Sequence, residues 1–588
     1  MNQLTSDSQL IDLGQHFRVS AGPGAGKTHW LIEHIKNVLK RSENLHRTRK
    51  IACITYTNIA VETILGRLNN ATDHVEVSTF HSFLYRHIVK PYIHNLAVEY
   101  KINVSKVDGH DEMRVSLGKA IEWIENHPNR RSLQHPFTEN QLTKLPKNQH
   151  AVRNWLQSMK CQIRSESTGV EFVCDRSKAF SNIDSERTYI NHETLEKLET
   201  DFLDFKKNYW RRGVLHHDDI LFFSSKIINK HPFVVEVLRN KFPYFFVDEF
   251  QDSNPIQVNI LKEIGDSITV VGIIGDKAQS IFEFQGADPS QFFDFGLEGI
   301  RDYRMIVNRR STKSIISCLN NVRSDISQKA YRSEVGVAPE IIVGEDVQVF
   351  NKVNEICNDE EVYLLTRKNV TANALKQNLN STPFTPGMLE ELRTNDSNGF
   401  RSGVIVSCIK AVEFARNKKS KEAIKELERY YRKKKNKDYS KRIAIEKIMF
   451  LLENYEEFKD GSMYDFYSII KERVNTDISA LSNRGAIKPY YKGKTYQEFA
   501  VSVTINDDKS FCKTIHNAKG AEFENVLLLL EKEEVLSFFL ENDLENNEED
   551  RIKYVGISRA KNRLFISVPT MNDLFYNKLK DQFKITYL

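Results

Sequence analysis

Paired cysteines are missing from this sequence. Its 588 residues include seven cysteines, scattered, with no CxxC pair and no Cys/His ligand spacing. That argues against a disulfide framework or a structural zinc site and points to a reduced, cytoplasmic chain. No uncharged apolar run approaches the ~18 residues that a membrane helix needs, so no membrane contact is expected. The opening "MNQLTSDSQLIDLG" has neither a basic start nor an apolar core, so it is not read as a signal peptide. Internal repeats and long low-complexity tracts are also lacking. What is present bounds the rest. The length is too great for one domain at the usual ~100–200 residues. With 40% hydrophobic and 28% charged residues the chain is expected to be globular, with sizeable cores. A net charge of +5 permits nucleic acid as a partner without demanding it.

The first informative stretch is "SAGPGAGKTH", residues 20–29. A short β-like segment, "HFRVS", precedes it. "HWLIEHIKNVLK" comes after it, with Trp30, Leu31, Ile35, Val38 and Leu39 at helical spacing. Strand, loop, helix is the order of a phosphate cradle. Glycines turn backbone N–H groups toward an anion, and the helix N-terminus adds partial positive charge. Residues Ala21, Gly22, Pro23, Gly24, Ala25, Gly26, Lys27 and Thr28 would line it. Lys27 reaches the outer phosphates and the Thr28 hydroxyl ligates Mg²⁺. Ala21 stands where the pattern usually begins with glycine. The competing reading is an ordinary glycine-rich turn.

An ATP site needs a second, acidic element. "YFFVDEFQDSNPIQ" supplies it, a hydrophobic run ending in Asp248 and Glu249. A buried strand would deliver both acids to a sheet's carboxyl edge. Asp248 would hold Mg²⁺, and Glu249 would orient and deprotonate a water. Next comes "ITVVGIIGDKAQSIFEFQGAD". Gln279 lies just past a strand end, suited to sensing a γ-phosphate. Phe282 and Phe284 lie beyond it, suited either to stacking on unpaired bases or to the core.

These residues, Asp248-Glu249-Phe250-Gln251-Asp252 with Gly275-Asp276 and Gln279-Ser280-Ile281-Phe282, resemble the UvrD/Rep/PcrA group of superfamily 1 helicases. The other motifs of that family occur in order. "ITYTNIAVETILGRL" resembles motif Ia, "VSTFHSF" motif Ic, "NRRSTKSI" motif IV, "TIHNAKGAEFENVLLL" motif V and "EEDRIKYVGISRAKNRLFI" motif VI. The resemblance implies roles at the matched positions. Thr28 and Asp248 are the Mg²⁺ ligands, Lys27 the phosphate lysine, Glu249 the base and Gln279 the γ-phosphate sensor. Arg310 and Arg559 are the two arginine fingers, and Glu522 contacts the ribose. Tyr56 and Phe284 stack on single-stranded DNA. Thr79, His81, Thr514 and His516 lie near the DNA backbone or between DNA and ATP, unless they are ordinary loop caps.

Three positions depart from the family. Arg309 replaces the tyrosine that stacks on adenine, and its planar guanidinium could stack instead. Gln285 replaces an arginine. The adenine-reading glutamine is placed at Gln9, with Gln15 or Gln3 as alternatives.

The fold class expected is α/β, with two RecA-like parallel-sheet lobes, each interrupted by a largely helical insertion. Lobe 1A takes residues 1–92 plus 190–296, and lobe 2A takes 297–378 plus 498–588. The first insertion, 93–189, is polar and loop-broken and resembles subdomain 1B. The second, 379–497, sits at the place of 2B and looks compact for it. Its basic run, residues 432–435 with Lys437, Lys441 and Arg442, either neutralises duplex phosphates or is a solvated helix face. The acidic run "ENDLENNEED" is expected as a mobile surface loop.

Two functions stay in play. One is an ATP- and Mg²⁺-dependent 3′–5′ helicase on single-stranded and duplex DNA, the polarity being implied by the resemblance alone. The other is a DNA-stimulated ATPase that serves as a sensor or regulatory subunit beside a nuclease. Short proteins of this kind resemble the helicase partners of nuclease-based antiphage systems such as Gabija. No RecB-type nuclease domain is expected after motif VI, so any cleavage is expected to come from a partner.

Overall fold

The computed structural model describes every residue except 1, 47, 69–72, 134–137, 165–168, 184–185, 359, 378–386, 397, 432–436, 484 and 504–510. The basic run at 432–435 therefore lies outside the described residues. Its neighbours Lys437, Lys441 and Arg442 fall on the helix Lys437–Glu453. The chain divides into two compact units. One comprises residues 1–181, 189–338 and 537–563, the other 182–188, 339–536 and 564–588.

The first unit is built on a seven-stranded sheet. Its order is Asn2–Gln3, Arg301–Met305, Phe17–Ala21, Val270–Gly275, Tyr244–Val247, Ile51–Thr55 and Val75–Thr79. Every pairing is parallel. The central strands read as continuous apolar runs because both faces are covered, as parallel sheets require. Tyr244–Val247 and Val270–Gly275 are buried at every residue. Gly272 is required here. A Cβ on it would lie 2.1 Å from the Phe17 ring, which packs across the strand. Because all the strands run the same way, all their carboxyl ends meet along one edge.

The expected lobe boundary at 296 does not coincide with the edge of this sheet. Arg301–Met305 pairs with Phe17–Ala21 along its whole length, from Arg301 opposite Phe17 to Met305 opposite Ala21. Hydrogen bonding, not position in the chain, decides membership. The same unit also takes in residues 537–563.

Between Val75–Thr79 and Tyr244–Val247 the chain builds a helical region with an antiparallel hairpin, Lys160–Ile163 against Val170–Val173. The sequence reads there as polar and loop-broken, yet the region owns a dense aromatic core. Trp123, Trp155 and Trp210 are each at most 2% exposed. They pack with Phe172, Phe202, Phe205 and Phe222, and that core is continuous with Phe83 and Phe245 under the sheet. A buried ion pair crosses it. Lys206 Nζ lies 2.7 Å from Asp219 Oδ1, with exposures of 1% and 0%. The His216 N–H donates to Asp219 Oδ2 at 2.8 Å, closing the N-terminus of the helix His217–Lys230.

The second unit carries a six-stranded sheet of order Cys512–Thr514, Val362–Thr366, Phe523–Leu529, Ala560–Val568, Glu340–Val343 and Lys584–Tyr587. Val362–Thr366 pairs in parallel with both of its neighbours, and so does Glu340–Val343. The segment expected to be mainly helical is so. Its centre is Gly399–Arg416, a helix buried on most sides among Leu427, Phe458, Phe466, Tyr491 and Tyr496. Such a helix needs its polar groups paired. Arg401 pairs with Asp396, and Glu413 accepts from the Tyr496 hydroxyl at 2.9 Å.

Removing one partner of a buried ion pair leaves the other charge uncompensated. Lys206→Met is expected to cost about 3–5 kcal/mol of stability in the first unit. Chemical denaturation followed by tryptophan fluorescence, dominated by Trp123, Trp155 and Trp210, would read it.

Candidate functional site

The helix Lys27–Arg41 starts directly after the glycine-rich loop, and its N-cap is Gly26 at φ 83°, which has no side chain to cap the first-turn N–H groups. Gly24 also has positive φ, 68°, and a Cβ on it would meet Asn308 Oδ1 at 2.5 Å. These two glycines are required by backbone sign and by close approach. The loop is held from the side. Met305 O accepts from the Gly22 N–H at 3.3 Å, and Gly24 O accepts from the Arg309 N–H at 2.9 Å. Gln328 Nε2 donates to Pro23 O at 2.7 Å. Ala21 is the buried last residue of the strand Phe17–Ala21, and Ala25 is buried too.

The Thr28 hydroxyl donates to Asp248 Oδ2 at 3.1 Å. The two candidate Mg²⁺ ligands are thus brought together from opposite parts of the chain. Burial and the neighbouring Glu249 charge push the Asp248 carboxyl up to about 7, against the pull of Lys27 and the Thr28 hydroxyl. A buried carboxylate short of countercharge beside a hydroxyl oxygen is a hard-oxygen donor set, which suits a divalent cation. The residues present therefore fit Mg²⁺, and the uncapped loop with Lys27 fits the phosphates that accompany it.

Glu249 has φ 54°, a left-handed backbone unusual for a side chain with a Cβ. Gln251 Nε2 donates to its Oε2 at 2.5 Å. Gln251 is itself fixed, since its Oε1 accepts from the Asp276 N–H at 3.0 Å and its backbone carbonyl accepts from the Ser280 hydroxyl at 3.0 Å.

A buried polar chain then runs through Gln279. Its Nε2 donates to Asp276 Oδ2 at 2.5 Å, and its Oε1 accepts from Arg559 Nη2 at 2.6 Å. Asp276 is also bound by Arg323, whose Nη2 lies 2.8 Å from Oδ1. Burial raises the Asp276 carboxyl, but Arg323 and Lys27 more than reverse this, so it lies below its ordinary value. Arg310 Nη1 donates to the carbonyl of Ser558 at 2.7 Å, next to Arg559. The two candidate arginine fingers thus meet in one neighbourhood. Sequence reasoning missed Arg323, Asp276, Gln251 and Gln328 as parts of this assembly. Asp276 and Gln251 sit inside quoted motifs and were within reach. Arg323 and Gln328 stand in no motif.

Arg309 forms an ion pair with Asp7, and its guanidinium carbon lies 4.2 Å from the Tyr331 ring centre. Gln9 is exposed. Of the alternatives to it, Gln3 is exposed in the first strand and Gln15 is half-buried.

The candidate DNA residues divide. Tyr56 stacks on Phe282 with ring centres 4.5 Å apart, and its hydroxyl donates to Gln285 Oε1. Phe282 is 7% exposed and Phe284 is 59% exposed. Thr79 caps the helix Phe80–Leu84, accepting from the Ser82 N–H at 3.3 Å. His81 lies in a cluster with His110 and His217, whose Nδ1 atoms are 2.7 Å apart. Burial, His217 and His110 hold the His81 imidazole down at about 3. In the second unit, Thr514 is buried and its Oγ1 accepts from the Asn517 N–H at 3.3 Å. His516 is half-buried and Glu522 exposed, on the segment leading into Phe523–Leu529. The acidic run expected to be a mobile surface loop contains a hydrogen-bonded turn. Asp543 Oδ1 accepts from the Glu545 and Asn546 N–H groups, and the fully buried Arg551 donates to the carbonyls of Leu544 and Glu545. Arg551 also bonds Ser280 O at 2.8 Å and pairs with Glu283.

The exposures of Phe282 and Phe284 separate two substitutions. Phe282→Ala is expected to cost about 3–5 kcal/mol, and Phe284→Ala less than about 0.5 kcal/mol. Thermal unfolding of the two variants would show the difference.

Comparison with known proteins agrees with this geometry. Residues 1–298 match the UvrD/REP helicase N-terminal domain, and residues 406–570 match the UvrD-like helicase C-terminal domain. The chain is similar to the Gabija protein GajB of Bacillus cereus strain HuB5-5, 22% identical over 95% of this chain and 92% of the relative. It is similar to the ATP-dependent DNA helicase Rep of Buchnera aphidicola, 23% identical over 93% and 90%. It is also similar to the ATP-dependent DNA helicase PcrA of Staphylococcus aureus, 23% identical over 95% and 82%. Both domains of the family are matched, in order and over most of the chain, and the chain belongs to the UvrD/REP helicase family.

Proposed function

We propose that this protein is an ATP-driven motor that moves 3′ to 5′ along single-stranded DNA and unwinds duplex ahead of it. The observation that carries the reading is the chain of contacts Thr28–Asp248–Glu249–Gln251–Asp276–Gln279–Arg559, which joins the loop to one of the two candidate arginines. Bound Mg²⁺, held by Thr28 and Asp248, would screen the phosphate charge. Lys27 binds the outer phosphates. Glu249, held by Gln251, takes a proton from the attacking water. Gln279 reports the γ-phosphate, and Arg310 and Arg559 offset charge on the phosphoryl oxygens, a contribution of ~10³–10⁵ in rate for such fingers. Gln279 holds Asp276 with one end of its amide and Arg559 with the other, so a shift at the phosphate is passed to the arginine. Five residues beyond it, Phe284 presents an exposed ring for base stacking, with the Tyr56–Phe282 pair beside it. The two parallel sheets are assigned to RecA-like lobes 1A and 2A, and the two helical regions to 1B and 2B.

A second reading is favoured by the likeness to GajB along nearly the whole chain. Here the same ATPase serves as a DNA sensor or regulatory subunit beside a nuclease, with little unwinding of its own. A strand-displacement assay on the purified chain, with and without a candidate nuclease, separates the two.

Lys27→Ala is expected to abolish nucleotide binding, and Glu249→Gln to keep ATP bound while slowing hydrolysis by at least about a hundredfold. Near wild-type DNA-stimulated turnover in either variant would overturn the site. Phe284→Ala is expected to lose ~1–3 kcal/mol of single-strand affinity in a fluorescence-anisotropy titration.

A further inference from the structure

We propose that Tyr331 is a positioning residue for the nucleobase: together with Asp7 it holds the Arg309 guanidinium flat, as the surface on which the base stacks. The inference rests on the nucleotide-site reading and names how the base end of that site is built. Three observations carry it. First, Arg309 is tied to the phosphate loop, because its N–H donates to Gly24 O at 2.9 Å. A base attached to phosphates in that loop lies within a nucleotide's length of Arg309. Second, the guanidinium is fixed on two sides. Asp7 pairs with Nη2, and the Tyr331 ring lies beneath the group, 4.2 Å from ring centre to guanidinium carbon. Third, the assembly is open to solvent. The Arg309 side chain is 31% exposed and Asp7 60%, and Tyr331 is 61% exposed. His29, the residue after Thr28, reaches to 3.9 Å from the same Asp7 carboxylate, so the cluster borders the loop from both directions.

An exposed tyrosine and a half-buried arginine at the surface do not need each other for folding. A cation–π contact between them orders a flexible side chain at the surface. Ordering is what a stacking surface requires, since an arginine held flat loses less freedom when a ligand arrives. Asp7 holds one end of the guanidinium, and the Tyr331 ring lies under its central carbon. Arg309 Nε lacks an acceptor among the described residues, so Asp7 and Tyr331 leave the group incompletely satisfied. A guanidinium face recognises the π-surface of any base and reads no edge, so discrimination between adenine and guanine is expected to be weak.

The test uses the full chain and its DNA-stimulated ATPase activity. Tyr331→Ala is expected to raise KM for ATP about tenfold with kcat nearly unchanged, and Tyr331→Phe to restore the wild-type KM, because the ring and not the hydroxyl holds the guanidinium. Inorganic tripolyphosphate, which carries no base, is the control. Its inhibition constant should be the same for wild type and Tyr331→Ala. A KM for Tyr331→Ala within twofold of wild type would overturn the proposal. So would an equal rise in the tripolyphosphate constant, which would mean that the variant loosens the phosphate loop. So would a wild-type preference for ATP over GTP of more than a hundredfold that survives Arg309→Ala. Failure of the nucleotide-site reading shows differently, as tripolyphosphate inhibition that Lys27→Ala does not weaken.

Discussion

Two carboxylates, Asp248 and Asp276, end neighbouring parallel strands, and both are almost fully buried. Negative charge away from water must be met nearby by donors or cations. That requirement organises the surrounding groups. Asp276 is met by Arg323, the Gln279 amide and the Ala278 N–H. Among the described residues Asp248 is met by the Thr28 hydroxyl, its own neighbour's N–H and the field of Lys27. The first acid is therefore a finished structural anchor. The second is left with unmet demand, which matches a residue that shares a divalent cation. One edge of one sheet thus holds an anchor and the proposed cation ligand side by side, with Glu249, Gln251 and Gln279 between and around them.

Much of this was legible in the sequence because strand-end chemistry is local. The runs "YFFV" and "VVGIIG" announce buried parallel strands, and the aspartate directly after each run is delivered to the same edge. The glycine loop is equally local, since positive φ at Gly24 and Gly26 leaves few other residues possible. The motifs at 308–310 and 558–559 could be named, but not their meeting place, which depends on packing of segments about 250 residues apart. Arg323 was invisible for the same reason. Its partner Asp276 is 47 residues away and no periodicity links them.

The helical region between Val75–Thr79 and Tyr244–Val247 shows a different limit. Its three tryptophans stand at 123, 155 and 210, too far apart for any helical or strand period to join them, and the polar residues between them dominate the local pattern. Only the folded chain brings the indoles onto one core. Conversely, the run of acids at 541–550 reads as a solvated loop because charge density is its only local signal. Arg551, just beyond it, turns back to bind two of its carbonyls, and backbone acceptors leave no trace in composition. Thr79 illustrates the competing pull of ordinary architecture. A threonine before a helix serves as its cap whatever else it touches.

Glu249 sits where the backbone favours glycine or asparagine. A non-glycine residue held in the left-handed region carries strain of order 1–3 kcal/mol, and this one leads at once into a short helical turn, Phe250–Asp252. Protein engineers who optimise this chain for heat resistance would be drawn to the position, since relieving such strain is a standard gain. The gain would come at the carboxylate proposed as the base. Directed evolution under a thermal screen alone would tend to erase Glu249, whereas a screen that also demands turnover would keep it. If Glu249 is the base, adaptation in this chain is constrained at a single peptide unit by two opposed selective pressures.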